Sequence, residues 1–130
     1  MKTFTSPSQK IGKIGEDVGC TYLVSKGYRV IERNFTRKWG EIDIIAEKDG
    51  VVHFVEVKSV TEDAYGDPGS EKMRPEDQLH AVKQKCLIRT IESYMDKHPV
   101  SRWQVDLLCV FLNMRHRSAR VKVLPDVILG

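Results

Sequence analysis

Apolar residues recur every three or four positions from Ile11 through Ile14 and Val18 to Tyr22, the period of an amphipathic helix. Ser6 or Ser8 can cap its start, and Lys26-Gly27 supplies the glycine that commonly closes one. Gly12, Gly15 and Gly19 fall beside this stripe. Each costs a helix about 1 kcal/mol relative to alanine, so the trio predicts close approach of another backbone. Period-two patterning follows: Tyr28 to Phe35 reads as a strand, Thr36 to Gly40 as a turn, and Glu41 to Lys48 and Val51 to Ser59 as two further strands. Asp49-Gly50 between the last two is the preferred pair for a two-residue type I′ hairpin. Val60 to Pro75 mixes acids, glycine and proline and predicts a long loop. Helical spacing returns from Pro75 to about His98, with Leu79, Val82, Cys86, Thr90 and Tyr94 on one face. Val105 to Leu112 is apolar except for Asp106, as in a strand buried on both sides, and Ala119 to Leu124 is a last strand pairing back through Asn113 to Ser118. The order α-β-β-β-α-β-β predicts a single α/β domain over residues 1–130, built on a central mixed sheet.

Composition narrows the choice. With 41% hydrophobic and 30% charged residues, the 130-residue chain has the balance of an ordinary globular domain, which excludes disordered and fibrous classes. No apolar run approaches the roughly 20 residues of a membrane-spanning helix, and the first residues, Met1 to Ser8, lack a secretory apolar core. Cys20, Cys86 and Cys109 are an odd, dispersed set, and His53, His80, His98 and His116 show no metal-ligand spacing. These features predict a cytoplasmic protein without disulfides or zinc. Asn34-Phe35-Thr36 is therefore not read as a glycosylation site. The net charge of +3 permits a nucleic-acid partner without requiring one.

The hairpin carries the candidate chemistry. If Asp49 and Gly50 form the turn, Lys48 faces Val51. Counting back in step, Ile45 faces Phe54, Asp43 faces Glu56 and Glu41 faces Lys58. Alternation then puts Glu41, Asp43, Glu56 and Lys58 on one face, and Ile42, Ile44, Val55 and Val57 on the other. Like charges directly opposed destabilise a sheet. A proton on one carboxylate relieves them, as does a divalent cation held between both, and carboxylate oxygens suit Mg2+ or Mn2+. A lysine beside such a cation can orient an attacking water or stabilise phosphoryl charge, which are the parts of phosphodiester hydrolysis. The plain alternative is a solvated face on which Lys58 bridges Glu41 and Glu56. Lys83 lies within the apolar stripe of the second helix, where its ammonium either reaches water or meets a carboxylate or phosphate, and Gln84 borders the same face. Glu16 lies on the first helix beside Gly12 and Gly19, either as a solvated acid or as part of the site.

Several blocks in order carry a family resemblance: Gly15-Glu16, Gly27-Tyr28, Arg33-Asn34, Gly40-Glu41-Ile42-Asp43-Ile44-Ile45-Ala46, Phe54-Val55-Glu56-Val57-Lys58, Lys83-Gln84 and Val105-Asp106. Over residues 8 to 112 the chain resembles the YraN-type family of uncharacterised bacterial proteins. That family is placed in the PD-(D/E)xK nuclease superfamily, similar to archaeal Holliday-junction resolvases. The resemblance implies a restriction-endonuclease-like αβββαβ core, with the central mixed sheet flanked by helices. It also implies a metal-dependent endonuclease acting on DNA, including branched or structured DNA. Asp43 matches the motif's aspartate, Glu56 and Lys58 its Glu-x-Lys, Glu16 the helical acid that completes the metal site, and Lys83 the basic residue of the following helix. The implied metal ligands are Glu16, Asp43 and Glu56, and the catalytic set is Asp43, Glu56, Lys58 and Lys83. Ile42 stands where the superfamily name places proline. Ser59-Val60-Thr61 stands where many relatives carry a basic residue.

Two basic runs supply candidate nucleic-acid contacts. One is Arg33, Arg37 and Lys38 with Trp39, whose ring, if exposed, can stack on an unpaired base. The other is Arg115, His116, Arg117, Arg120 and Lys122. No helix-turn-helix, zinc-finger or RNA-recognition pattern is present, so the expected recognition is of shape and backbone. Resolving a junction takes two active sites, hence a homodimer. The competing class is a non-catalytic module that binds nucleic acid or protein on the same scaffold.

Overall fold

Ser6 opens the first helix, α1 (Pro7–Ser25), with a complete capping box: its side chain accepts from the Gln9 amide while the Gln9 side chain accepts from the Ser6 amide. The computed structural model describes residues 6–62 and 81–127. After α1 come strands β1 (Arg29–Arg37), β2 (Gly40–Lys48) and β3 (Val51–Thr61), helix α2 (Ala81–Lys97), and strands β4 (Trp103–Asn113) and β5 (Ser118–Leu124). They form one mixed sheet in the order β1-β2-β3-β4-β5, parallel only between β3 and β4. The element order and the mixed sheet are those expected, with most strands a residue or two longer. Most of the expected loop, and the expected helix start at Pro75 with Leu79, lie outside the described residues.

The two helices cover opposite faces of the sheet. Against α2, Phe35, Ile42, Ile45, Phe54 and Val105 enclose Leu87, Ile91 and Tyr94; against α1, Ile44, Ala46, Val55 and Leu108 enclose Leu23. β4 is buried from Val105 to Leu112, as its apolar run requires.

Both helices are turned slightly from the expected orientation. On α1 the buried line is Gly15, Gly19 and Leu23, while Ile14 is 38% exposed. A Cβ at Gly15 would lie 1.6 Å from Ser59 Oγ, and one at Gly19 2.8 Å from Leu108 Cδ2, so both glycines let the helix lie close on β3 and β4. Gly12 faces open space and takes no part in that approach. On α2 the buried line is Leu87, Thr90, Ile91 and Tyr94, with Val82 75% exposed. Lys83 therefore sits one turn before Leu87, on the sheet-facing row.

The β2–β3 hairpin turns through Asp49 (φ 52°) and Gly50 (φ 78°), the signs a type I′ turn needs. From Lys48↔Val51 to Ile44↔Val55 its register is the expected one. There the ladder stops. Ile42 and Ile44 lie on opposite faces of the sheet despite being two residues apart, so strict alternation fails around Asp43.

Candidate active site

Asp43 does not sit squarely across from Glu56 as the uninterrupted hairpin would place it. Where the ladder stops, the Asp43 carboxylate takes over from a main-chain carbonyl: Oδ2 accepts from the Val57 amide at 2.7 Å. The two strands part at this point, and the gap they leave is where acids from three elements collect.

Glu16 from α1 and Glu41 and Asp43 from β2 each bring a carboxylate oxygen within 4.8 Å of the others. Asn34 on β1 joins two of them, its Nδ2 donating to Glu16 Oε1 and to Glu41 Oε1, each at 2.7 Å. Asp43 is pushed up to about 8, first by burial and then by the neighbouring Glu56 carboxylate, with the Val57 hydrogen bond opposing. Burial also raises Glu56, and its ion pair with Lys83 Nζ at 2.5 Å works against the rise. A cleft of about 420 Å³ opens over these groups, lined by Trp39, Glu41, Asp43, Glu56, Lys83 and Cys86.

Oxygens on one octahedral Mg2+ or Mn2+, each about 2.1 Å from it, stand about 3 Å apart when adjacent and about 4 Å across the ion. The oxygens of Glu16, Glu41 and Asp43, within 4.8 Å of one another, would have to draw together by up to about 2 Å per pair to take adjacent places on such an ion. Their all-oxygen chemistry suits these hard cations and not zinc. Glu56 borders the trio, held by Lys83. Glu41 was expected on this face only as the partner of Lys58; the structure makes it one of the clustered acids. Its signal was its place two residues from Asp43 on the same strand.

Lys58 stands on β3 two residues beyond Glu56, half-buried and in register with Cys109 of β4. Among the described residues it forms no salt bridge, so it does not tie Glu41 to Glu56. The register places the β1–β2 turn, the far ends of β3 and β4 and the β4–β5 turn at one end of the sheet. Both basic runs therefore lie at the end that carries the acids.

Their members differ in availability. Lys38, Arg115 and Arg117 are exposed in turns. Arg33 is engaged with Asp17 at 2.8 Å and with Glu16 at 3.4 Å, and the Arg33 hydrogen bond holds Asp17 below the usual carboxylate range. Arg37 donates to Ser93 Oγ and to the Thr36 carbonyl. Trp39 is half-buried, with the Arg89 guanidinium 3.9 Å from its centroid, so the condition for stacking on a base, an exposed ring, is met only in part. Arg89 covers one face of the ring, and Trp39 lines the cleft. Gln84 is half-buried on α2.

Asp106, the one acid in the apolar run of β4 and part of the last block of the family resemblance, is a buried hub. It accepts from the Gln104 side chain and the Asp126 amide and shares a 2.6 Å hydrogen bond with His53 Nδ1. It ties β3, β4 and the segment after β5 together, away from the acid cluster.

The fold and the acid cluster define an α/β protein with an αβββαβ core whose sheet opens over a carboxylate-lined cleft. The chain belongs to uncharacterised protein family UPF0102, whose model matches residues 15–122. A UPF0102 protein of Campylobacter lari is 45% identical over 101 residues, covering 75% of this chain and 80% of that one. Relatives in Campylobacter fetus (40% over 103 residues, 76% and 81%) and Persephonella marina (38% over 104 residues, 78% and 84%) bear the same family name. No helix among the described residues is long and apolar enough to cross a membrane.

Proposed function

We propose that this protein is a metal-dependent endonuclease that hydrolyses phosphodiester bonds in DNA, with branched or otherwise structured DNA as its substrate. One observation carries the reading: Glu16, Glu41 and Asp43 crowd their oxygens within 4.8 Å beside the buried Glu56. Gathering carboxylates in this way costs free energy unless a proton or a cation offsets it. Mg2+ or Mn2+ held there would supply a Lewis acid for a phosphoryl oxygen and a water of lowered pKa.

The chain's own groups do the rest. Asp43 is fixed by the Val57 amide, so its free oxygen points to a defined place. Lys58, which has no carboxylate partner among the described residues, presents its ammonium to the attacking water or to the charge developing on phosphate. Lys83 neutralises Glu56 in the resting protein and lies in the cleft wall, where an incoming phosphate meets it. Lys38, Arg115 and Arg117 at the same end of the sheet attract the backbone of the nucleic acid without reading its sequence.

The test is incubation with branched, flapped, duplex and single-stranded DNA in Mg2+ or Mn2+. Cleavage is expected, and both Asp43→Asn and Lys58→Ala should abolish it, the latter with Mn2+ binding retained. Cleavage that persists in both variants, or wild-type protein that binds no Mn2+ by calorimetry, overturns the proposal.

A further inference from the structure

Asn34 has two features that the hydrolytic reading leaves unexplained. Its backbone takes φ 55° in the middle of a strand, a left-handed conformation that asparagine adopts at a cost and most other side chains avoid. It also interrupts the β1–β2 ladder, which pairs Arg33 with Ile44 and Phe35 with Ile42 but skips the position between, where Asn34 would meet Asp43. The left-handed turn presents its side chain to α1 and β2 together. Its amide has two hydrogens, and each goes to a different carboxylate, Glu16 on one side and Glu41 on the other, both at 2.7 Å.

From this geometry we infer that Asn34 is a positioning residue, a neutral tether that sets the spacing of the Glu16 and Glu41 carboxylates and so tunes the cluster's affinity for a divalent cation. The cation itself rests on the metal-dependent reading above; the tether rests on the hydrogen bonds. The chemical type matters. A lysine or arginine at this place would draw the same two acids together but cancel their charge, competing with the cation. An amide holds them with no charge of its own. The neighbouring Arg33 does not take the role, because its shorter contact is to Asp17, outside the trio. Partners that hold a metal's ligands in place typically contribute ten- to a hundredfold in metal affinity.

Asn34→Gly separates this role from a structural one, since glycine accepts φ 55° without strain and removes only the amide. The variant should melt in EDTA at or above the wild-type temperature, yet bind Mn2+ about tenfold more weakly. The Mn2+ concentration for half-maximal cleavage should rise in step, with the rate at saturating metal largely recovered. Unchanged Mn2+ affinity in Asn34→Gly overturns the inference, as does an affinity loss matched by a lower melting temperature. Wild-type protein that binds Mn2+ but cleaves nothing sinks the nuclease reading alone. If it binds no Mn2+, the tether is judged in metal-free protein by hydrogen exchange of the Asn34 side-chain amide. Glu16→Ala and Glu41→Ala should each release one of its two protons, and protection unmoved by either overturns it.

Discussion

Removing the charge of Asp43 should stabilise the metal-free protein. Its carboxyl is held near 8 against an ordinary 3.8, by burial and by Glu56. The sign follows from which state binds more protons. Below about pH 4 both folded and unfolded chains carry a protonated Asp43, and the residue has no effect on stability. As the pH climbs from about 4 to 8, the unfolded carboxyl ionises freely while the folded one resists, so stability falls; above 8 the loss is constant. At 1.36 kcal/mol per pH unit, the four-unit gap has an upper bound of about 5–6 kcal/mol. Water entering the cleft and a proton shared with Glu56 reduce this to about 2–3 kcal/mol. Asp43→Asn keeps an oxygen for the Val57 amide and cannot ionise. Urea melts in EDTA at pH 4.5 and pH 8 should find the variant near wild type at the lower pH and about 2–3 kcal/mol more stable at the higher. Mn2+ should reverse the order at pH 8, because it binds the folded carboxylate form of the wild type and leaves the variant unaided. A variant less stable than wild type at pH 8 without metal, or a difference that does not grow with pH, would show that the acids are not in electrostatic conflict.

Three further outcomes follow from the packing. Gly15→Ala would drive a methyl to within 1.6 Å of Ser59 Oγ and should cost about 2–3 kcal/mol in urea melts, whereas Gly12→Ala, with no neighbour within 4 Å, should add about 0.5–1 kcal/mol. Asp106→Ala strands His53, the Gln104 amide and the Asp126 N–H, and should lower stability by about 3–5 kcal/mol with little effect on Mn2+ binding. Lys83→Ala leaves Glu56 buried without its ion pair; melts should show a loss of about 1–2 kcal/mol at pH 8 that shrinks at pH 4.5, where the carboxyl is protonated.

The parts of the fold set by local physics were legible in the residues. Asp49-Gly50 dictates its turn and hence the register through Ile44 and Val55. The long apolar run of β4 dictates burial on both sides, and the glycines of α1 announce a close approach, though Gly15 and Gly19 make it and Gly12 does not. Misreadings arose where tertiary contact overrides periodicity. Val82 attracted the α2 stripe by its hydrophobicity, yet the helix turns Leu87 and Ile91 inward and so aims Lys83 at Glu56. Alternation was carried past Ile44–Val55 to Asp43–Glu56 and Glu41–Lys58, neither of which pairs in the sheet, because no period anticipates a carboxylate taking the place of a carbonyl at Asp43.

Those departures are connected. A ladder continued past Ile44 would commit β2 and β3 to each other's main chains and close the space in which Asp43 and Glu56 now stand. A regular β1 would keep the Asn34 side chain from reaching Glu16 and Glu41 together. Side chains at Gly15 and Gly19 would lift α1, and Glu16 with it, off the sheet. Each departure costs stability by itself, and all three act on the same few carboxylates. The glycine signature of α1 is the part that a one-dimensional reading detects. The left-handed asparagine and the parted strands follow no period, which is why Asn34 and the role of Glu41 were not read from the residues, and Glu16 was placed in the site only by the family resemblance.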